Sequence, residues 1–376
     1  MKWEKVKLGN VTDSCLGKML DQNKNKGDYQ PYLANVNVRW GEFDLEDLPL
    51  MKFEESEQER YGLKYGDLVI CEGGEPGRCA IWKEQIPNMK IQKALHRVRV
   101  HDCLDYRYLF YWFLLAGKTG ELDQYFTGAT IKHMPGQKLK EVVIDKPPLE
   151  IQHRIADILS AYDDLIENNQ RQIKLLEETA QRLYKEWFVD LRFPGHENTK
   201  IVDGVPEGWS RGLLKELISV NYGKDHKKAP DDGNIPVYGS GGLMRKCNKS
   251  LFSGEAVLIP RKGSLNNIMY VDETFWTVDT MFYATMKQPH TAVFVYFFVK
   301  AFDMYSMNIG AAVPSMTAKI LDAMDVVIPD KETLEKFDKC AKMYFNKIRT
   351  LQGQNERLKT ARDLLLPKLM SGEVDA

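Results

Sequence analysis

Residues 149–187 read LEIQHRIADILSAYDDLIENNQRQIKLLEETAQRLYKEW and carry a side-chain pattern that repeats every seven positions. From Ile155 onward, steps of four and three residues alternate, and each position they reach is apolar except Asn169. Such heptads predict a long helix that buries one narrow seam against another helix. The seam positions are Ile155, Leu159, Tyr162, Ile166, Asn169, Ile173, Leu176, Ala180, Leu183 and Trp187.

A second heptad pattern near the end of the chain has the same register. Adding 182 to each first-seam position gives a second-seam position, and this relation holds from Phe337 to Leu369. Each helix of about 40 residues should be about 60 Å long, at about 1.5 Å per residue. We expect the two helices to pair with each other rather than to pack separately on partners. The second seam comprises Leu334, Phe337, Ala341, Tyr344, Ile348, Leu351, Asn355, Leu358, Arg362, Leu365 and Leu369.

Three details of these helices allow more than one outcome. Asn169 either fixes the helix register, as a buried seam amide can, or is simply exposed. Trp187 and Phe188 either pack under the second globular region or face a partner. Pro367 is expected to kink or end the second helix, because proline cannot donate a helical hydrogen bond.

The globular regions before the two helices repeat as well. The motif at 128–134, GATIKHM, is similar to GAAVPSM at 310–316, again displaced by 182. An apolar strand and proline follow each motif, at 142–148 and 326–329, and proline suits the first turn of a helix. Other strands are predicted at 67–71, 97–100, 256–259 and 267–271, and short helices at 106–116 and 292–301. Because the two regions differ strongly elsewhere, notably 20–60 against 222–250, the repeat indicates one architecture directed at two different targets.

The repeat predicts an α+β protein with an internal pseudo-two-fold relation. Two mixed α/β globular domains are expected to be separated by two long antiparallel coiled-coil helices. The predicted boundaries are 1–148 for the first globular domain, 149–194 for the central helix, 195–329 for the second domain and 330–376 for the C-terminal helix.

Composition excludes several classes of protein. The 376 residues are 43% hydrophobic, enough for several domains with cores of their own. With 52 Lys and Arg against 53 Asp and Glu, the net charge of −1 is untypical of proteins that coat nucleic acid, so any DNA-binding charge must be local. Without an apolar signal region or a membrane-length apolar run, the protein is expected to be soluble and cytoplasmic. The six widely spaced cysteines predict free thiols rather than a zinc or redox site.

Searches for catalytic and cofactor motifs fail. The sequence has no phosphate-binding loop of the GxxxxGK[ST] type, no dinucleotide-binding glycine fingerprint and no paired histidine spacing for a metal. Asp145-Lys146-Pro147-Pro148 only superficially resembles the amino-methyltransferase signature. The glycine cluster at 72–77, EGGEPG, is either a turn after a strand or a backbone contact to a DNA phosphate. We therefore predict no catalytic, cofactor-binding or metal site in this chain.

Three segments resemble the specificity subunits of type I restriction-modification systems. PPLEIQ at 147–152, followed by RIADILS at 154–160, is similar to the entrance of their central helix. LLLPKLMSGE at 364–373 is similar to the end of their C-terminal helix, and VPEGW at 205–209 to the opening of their second recognition domain. The order domain, helix, domain, helix matches over the whole chain. The first domain departs from the pattern, because it starts at Lys2-Trp3-Glu4 without the Pro-Glu-Gly-Trp lead.

The resemblance implies that the globular domains are target-recognition domains, each recognising one half of a bipartite double-stranded DNA target. The helices would set the spacer and dock two methyltransferase subunits, and translocase-nuclease subunits would join the full complex. Adenine-N6 methylation and cleavage, with S-adenosylmethionine, ATP and Mg²⁺, would belong to those partners.

Candidate DNA contacts fall in three places. The stretch 211–262 is locally basic, which indicates either DNA contact or an ordinary solvated surface. The loops 130–140 and 315–319 combine lysine with small polar residues in both copies, and a polar cluster follows a strand at 261–267. The candidates are Thr130, Lys132, His133, Lys138, Lys227, Lys228, Arg261, Lys262, Ser264, Asn266, Ser315 and Lys319.

Two other functions compete with this interpretation. A cytoplasmic scaffold could use the coiled coil to join two protein-binding domains without DNA, and sequence-specific DNA binding would distinguish the two. A stand-alone nuclease or methyltransferase is disfavoured because its motifs are missing.

Overall fold

The computed structural model describes residues 3–21, 25–308, 310 and 314–374. Part of the repeated motif at 310–316 therefore lies outside the described residues. Before residue 149 the elements are β1 (Glu4–Lys7), β2 (Thr12–Leu16), β3 (Asp28–Leu33), β4 (Leu50–Phe53), α1 (Gln58–Tyr61), β5 (Leu68–Cys71), β6 (Cys79–Ile81), β7 (Lys90–Ile91), β8 (Leu95–Val100), α2 (Tyr106–Thr119), α3 (Gly136–Glu141) and β9 (Val143–Lys146).

The remaining elements begin with the first long helix, α4 (Leu149–Tyr184), which continues as a π-helical segment, Lys185–Val189. They continue with β10 (Ile201–Val202), β11 (Val205–Pro206), β12 (Ser210–Leu213), β13 (Ile218–Tyr222), β14 (Ile235–Gly239), β15 (Gly242–Cys247), β16 (Phe252–Pro260), β17 (Met269–Thr277), β18 (Met281–Met286), α5 (Ala292–Lys300), α6 (Ala318–Asp322), β19 (Asp325–Ile328) and α7 (Lys331–Ser371).

The chain forms two compact units, and each long helix contributes one segment to each unit. Unit 1 comprises Met1–Asn168 and Gln354–Ala376, and unit 2 comprises Asn169–Gly353. The predicted domain boundaries at 148, 194 and 329 stay predictions. They lie where the sequence pattern changes, whereas the two units are defined by which residues pack together.

Unit 1 is built on a four-stranded antiparallel sheet in the order β2-β8-β5-β6. A separate antiparallel pair joins β1 to β9, and β3 lies between β4 and β7 in a third sheet. Helix α2 begins where the Asp105 carboxylate accepts from the first-turn N–H groups, and ends at Gly120 in the left-handed region. It packs nearly all its aromatic side chains into the unit 1 core, including Tyr108 and Phe113.

Unit 2 repeats this plan with longer strands. Its six-stranded sheet has the order β13-β18-β16-β17-β14-β15, so the first four strands match those of unit 1 one for one. The pair β12–β19 matches β1–β9, and the parallel pairing of β14 with β17 matches that of β3 with β7. The internal repeat inferred from short motifs is therefore a repeat of strand order and pairing.

Long-helix segments close the core of each unit. In unit 1, Ile155 and Leu159 of α4 lie in the same core as Leu366 and Leu369 of α7. The half-buried Arg362 forms an ion pair with Asp163 across the two helix segments. This pair explains how an arginine can stand at a seam position.

In unit 2, the segments of α4 and α7 run in opposite directions. Phe337, near the start of α7, contacts Tyr184 and Trp187 near the end of α4, with ring centroids 6.3 Å and 5.8 Å apart. Phe345, two turns later, lines a pocket together with the earlier α4 residue Lys174. The predicted mixed α/β fold with long helices is confirmed.

The seam assignments agree with the burial of the described side chains. All positions of both predicted seams are buried or half-buried, and none is exposed. Asn169 and Asn355 are each 7% exposed, so the alternative of a solvent-exposed Asn169 is wrong. Trp187 and Phe188 belong to the core of unit 2, where Phe188 lies 5.8 Å from Trp209 between ring centroids.

Several predicted bounds differ from the structure. Helix α7 does not end at Pro367 but continues to Ser371. Strand β16 begins at Phe252 rather than Ala256 and passes through Gly254, whose φ of +124° a side chain would disfavour. Strand β17 begins at Met269 rather than Asn267, because the Asn267 N–H donates to the Ser264 carbonyl in a turn that precedes the strand.

Candidate nucleic-acid interface

In unit 2, strand register brings several loops to one end of the sheet. Tyr222, the last residue of β13, pairs with Phe282 of β18, and Pro260, the last of β16, pairs with Met281. Tyr238 pairs with Thr277, and the Lys224 N–H donates to the Thr277 carbonyl at 2.9 Å, which brings the ends of β14 and β17 to the same place. We call this surface the unit 2 loop edge; it comprises residues 222–228, 239–242, 261–268, 278–280 and 314–316.

Backbone hydrogen bonds fix the centre of the unit 2 loop edge. The Arg261 N–H donates to the Thr280 carbonyl at 2.8 Å, and its own carbonyl accepts from the Met316 N–H at 3.0 Å. Lys262 forms a β-bridge with Ser315. The loop after β16 is therefore held on both sides, so its side chains project from a fixed backbone.

Most of the predicted unit 2 candidates lie at this edge. The side chains of Lys227, Lys228, Lys262, Ser264 and Asn266 are exposed there, and those of Arg261 and Ser315 are half-buried. Lys319 lies beyond the edge, exposed in the first turn of α6. The predicted basic stretch therefore places four cationic candidates on one surface, where they can neutralise phosphates.

Other polar residues of the same stretch have internal partners. The Asn266 amide donates to the Asp303 carboxylate at 3.0 Å and accepts from the Met304 N–H at 2.8 Å. Asn267 donates to the Ser240 carbonyl at 2.9 Å. Arg245 donates to the carbonyls of His226 and Ala229. These side chains hold the loops in place, so they are poorly suited to pairing with a base edge.

Unit 1 has an equivalent loop edge with different chemistry. Gly73 and His133 form the bridge that corresponds to Lys262 and Ser315, and the Met134 N–H donates to the Glu72 carbonyl at 2.7 Å. Thr130, Lys132 and His133 are exposed on the loop that enters this bridge. Lys138 lies on α3 and forms an ion pair with Glu141 at 2.7 Å.

The glycine cluster at 72–77 forms a turn after β5, and its contact with a DNA phosphate stays a prediction. Glu75 accepts from the Trp40 indole at 2.7 Å and from the Arg78 guanidinium at 3.1 Å. Gly77 has φ +90°, and a Cβ there would lie 2.5 Å from Leu122 Cδ1.

Two residues outside the predicted DNA-contact candidates shape these edges. Tyr222 exposes 54% of its surface at the end of β13, and its ring lies 5.5 Å from the Arg261 guanidinium. His96 is buried and bonds the Met134 carbonyl at 3.0 Å, next to the unit 1 bridge. The sequence signal for Tyr222 is an aromatic residue directly before Gly223-Lys224. The role of His96 can be recognised only from its tertiary contact with Met134.

Comparison with known proteins decides the family. The sequence matches the type I restriction modification DNA specificity domain over residues 1–178 and 206–360, which is most of the chain. The chain belongs to this family. The resemblance seen in the helix motifs is therefore confirmed, and the family's two domains coincide with the two copies of the repeat.

Relatives of this specificity-domain protein come from distant organisms. It is 27% identical over 350 residues to the specificity subunit of the type I restriction enzyme MjaIX from Methanocaldococcus jannaschii, covering 82% of this chain and 78% of the relative. It is 21% identical over 478 residues to the HindI specificity subunit from Haemophilus influenzae, covering 99% of both chains. The crystal structure of a type I S subunit from M. genitalium shares its fold, with TM-score 0.60 and 19% identity over 98% of this chain and 96% of that one.

Two kinds of feature are absent from the described residues of this specificity-domain protein. No described helix is both long enough and apolar enough to cross a bilayer. Within the same residues, no group of three or more His, Cys, Asp or Glu side chains is placed to bind a metal ion.

Proposed function

We propose that this chain selects the DNA target of a type I restriction-modification complex, with each unit binding one half of a bipartite site. The repeated sheet is the observation that supports this proposal most strongly. Both units have the same four-strand order, and the loop edges at the equivalent ends of the two sheets differ in charge. Equivalent backbones with different side chains suit two different half-sites. Phosphates would be bound by Lys227, Lys228 and Lys262 at the unit 2 loop edge.

Catalysis is assigned to partner subunits. Two methyltransferase subunits would bind S-adenosylmethionine and methylate adenine N6, and translocase-nuclease subunits would use ATP and Mg²⁺. This chain would itself be non-catalytic and would act in the cytoplasm. The failed motif searches and the family membership support this division.

The long helices are proposed as the docking surface for the methyltransferase subunits and as the element that sets the spacer. Both helices carry large apolar side chains that remain exposed in this chain: Leu165, Leu175, Met343 and Leu364 are each more than half exposed. Apolar side chains on a charged helix suit a protein partner better than water. DNA would offer them no apolar surface of similar size.

A selection experiment tests the proposal against the scaffold alternative. The chain is co-purified with a type I methyltransferase subunit and incubated with a random-sequence duplex library, and bound DNA is sequenced. Two short conserved blocks separated by a fixed unconserved spacer support the proposal. Enrichment without conserved blocks, from a complex that is intact on a sizing column, would contradict it.

A further inference from the structure

Arg261 stands at the centre of the unit 2 loop edge with its backbone fully engaged. Its N–H and carbonyl are both hydrogen-bonded, to Thr280 and Met316. The side chain of the next residue, Lys262, is exposed, and its backbone is held by the β-bridge to Ser315. A side chain on such a backbone loses little further freedom when it binds a ligand.

The guanidinium of Arg261 is also positioned. It lies 5.5 Å from the centroid of the Tyr222 ring, and its Nη1 donates to the Asp279 carbonyl at 3.1 Å. The Tyr222 ring is itself held by an edge contact with Phe282, at 5.1 Å between centroids. A cation–π contact with an aromatic ring and one backbone hydrogen bond restrict the position of the guanidinium.

One edge of this guanidinium remains available. Among the residues that the structure describes, none accepts a hydrogen bond from Nε or Nη2 of Arg261. These two atoms form one side of the guanidinium fork, which can donate two parallel hydrogen bonds to a planar acceptor pair. The half-buried side chain therefore presents a complete bidentate donor.

The matching position in unit 1 carries the opposite charge. Glu72 occupies the place of Arg261, because its N–H donates to the Ala94 carbonyl at 2.9 Å and its carbonyl accepts from Met134. By the same alignment, Lys93 replaces Asp279 and Leu16 replaces Tyr222. The backbone contacts are kept while the side-chain chemistry is inverted. This pattern is typical of a position that selects a base rather than one that supports the fold.

We propose that Arg261, placed by its cation–π contact with Tyr222, recognises a guanine in the half-site bound by unit 2. The assignment rests on the proposed function. Guanine presents O6 and N7 side by side in the major groove, and a bidentate arginine is the commonest specific contact to that pair. Lys262, one residue further along a fixed loop, binds a neighbouring phosphate.

The test uses the chain in complex with its methyltransferase subunit. Target DNA is synthesised with 7-deazaguanine, which lacks the N7 acceptor, at each guanine of the half-site in turn. The wild-type complex should lose about 5- to 100-fold in affinity at one of these guanines. R261Q should lose that discrimination and accept other bases there, and Y222L should relax it partly, whereas Y222F should retain it.

Two controls separate base recognition from general weakening. K262Q should weaken binding to all sequences alike and reduce its salt dependence, without changing the preferred base. Thermal unfolding of R261Q should match that of the wild-type chain, since among the described residues the Arg261 side chain donates one hydrogen bond, to the Asp279 carbonyl.

The outcomes are distinct. If R261Q weakens binding equally at every sequence and keeps the wild-type base preference, Arg261 binds a phosphate and the assignment is wrong. A preferred half-site without guanine is equally contradictory. If the wild-type complex shows no sequence preference at all, the proposed function itself fails.

Discussion

The imidazole of His96 donates a hydrogen bond from Nε2 to the Met134 carbonyl, 3.0 Å away, and so joins β8 to the loop that enters the unit 1 bridge. Burial lowers the pKa of His96 from its ordinary value of 6.5, against the opposing effect of this hydrogen bond. The folded unit therefore favours neutral His96, whereas the unfolded chain takes up a proton more readily.

Stability of unit 1 should accordingly decrease in mild acid. The stabilisation of the folded state by neutral His96 is fully present above pH 6.5. It is lost as the pH falls from 6.5 through the lower pKa that His96 has in the folded chain. Urea unfolding at pH 7.5 and pH 5.0 measures the change. H96Q, which has no titrating ring, should show a smaller decrease than the wild-type chain, and equal decreases would refute the role given to His96.

Phe337 should be a principal support of unit 2. It is fully buried and contacts Tyr184, Trp187 and Phe188. F337A should cost about 3–5 kcal/mol of unfolding free energy, from lost burial and the cavity left behind. M343A, on the exposed side of the same helix, serves as the matched control and should change stability by less than about 0.5 kcal/mol. Similar losses for both variants would argue against the packing described.

The lysines of the unit 2 loop edge should govern the salt dependence of DNA binding. Replacing Lys227 and Lys228 by glutamine should lower the slope of log affinity against log salt by about 1.8, at about 0.9 for each lost phosphate contact. Fluorescence anisotropy between 50 and 200 mM salt measures the slope. K347Q, an exposed lysine on α7, should leave it unchanged. If the double variant keeps the wild-type slope, Lys227 and Lys228 do not contact DNA phosphates.

An exposed leucine should contribute to docking of the methyltransferase. Leu175 on α4 is 61% exposed, so L175D should reduce co-purification of that subunit at least tenfold while leaving the thermal unfolding of the chain unchanged. Q170D, at an exposed polar position of the same helix, is the control. Retention of the partner by L175D would place the docking surface elsewhere.

The length of the long helices should set the spacer. A heptad inserted into both α4 and α7 adds about 10.5 Å, at about 1.5 Å per residue, while keeping the seam in phase. The spacer should lengthen by about 3 base pairs, at about 3.4 Å each, with both half-sites unchanged. Altered half-site bases with the original spacer would show that the helices do not measure distance.

Sequence alone predicted the parts of this fold that depend on periodic burial. The heptads gave every seam position, including the buried Asn169, because side chains three and four residues apart share one helix face. Short repeated motifs such as GATIKHM gave the two-fold plan. Pro367 does not end α7, because the helix continues to Ser371 while Leu366 and Leu369 stay buried; the alternative of a kink stays a prediction.

The loop edges were predicted less well, since their chemistry depends on contacts between distant residues. Asn266 was a reasonable candidate by residue type, yet its amide is used by Asp303 and Met304, 37 and 38 positions away. Tyr222 was missed because it meets Arg261 only through the register of β13, β18 and β16. Composition indicates charge, but only tertiary structure shows which charges are already satisfied.

Mapping adenine methylation across a genome tests whether this chain determines which sequence is methylated. The chain is expressed with a cognate type I methyltransferase subunit in a host that lacks adenine methylation, and the methyltransferase alone is the control. We expect a single bipartite methylated motif that appears only when this chain is present. An active methyltransferase in a stable complex that yields no such motif, or the same motif without this chain, would contradict it.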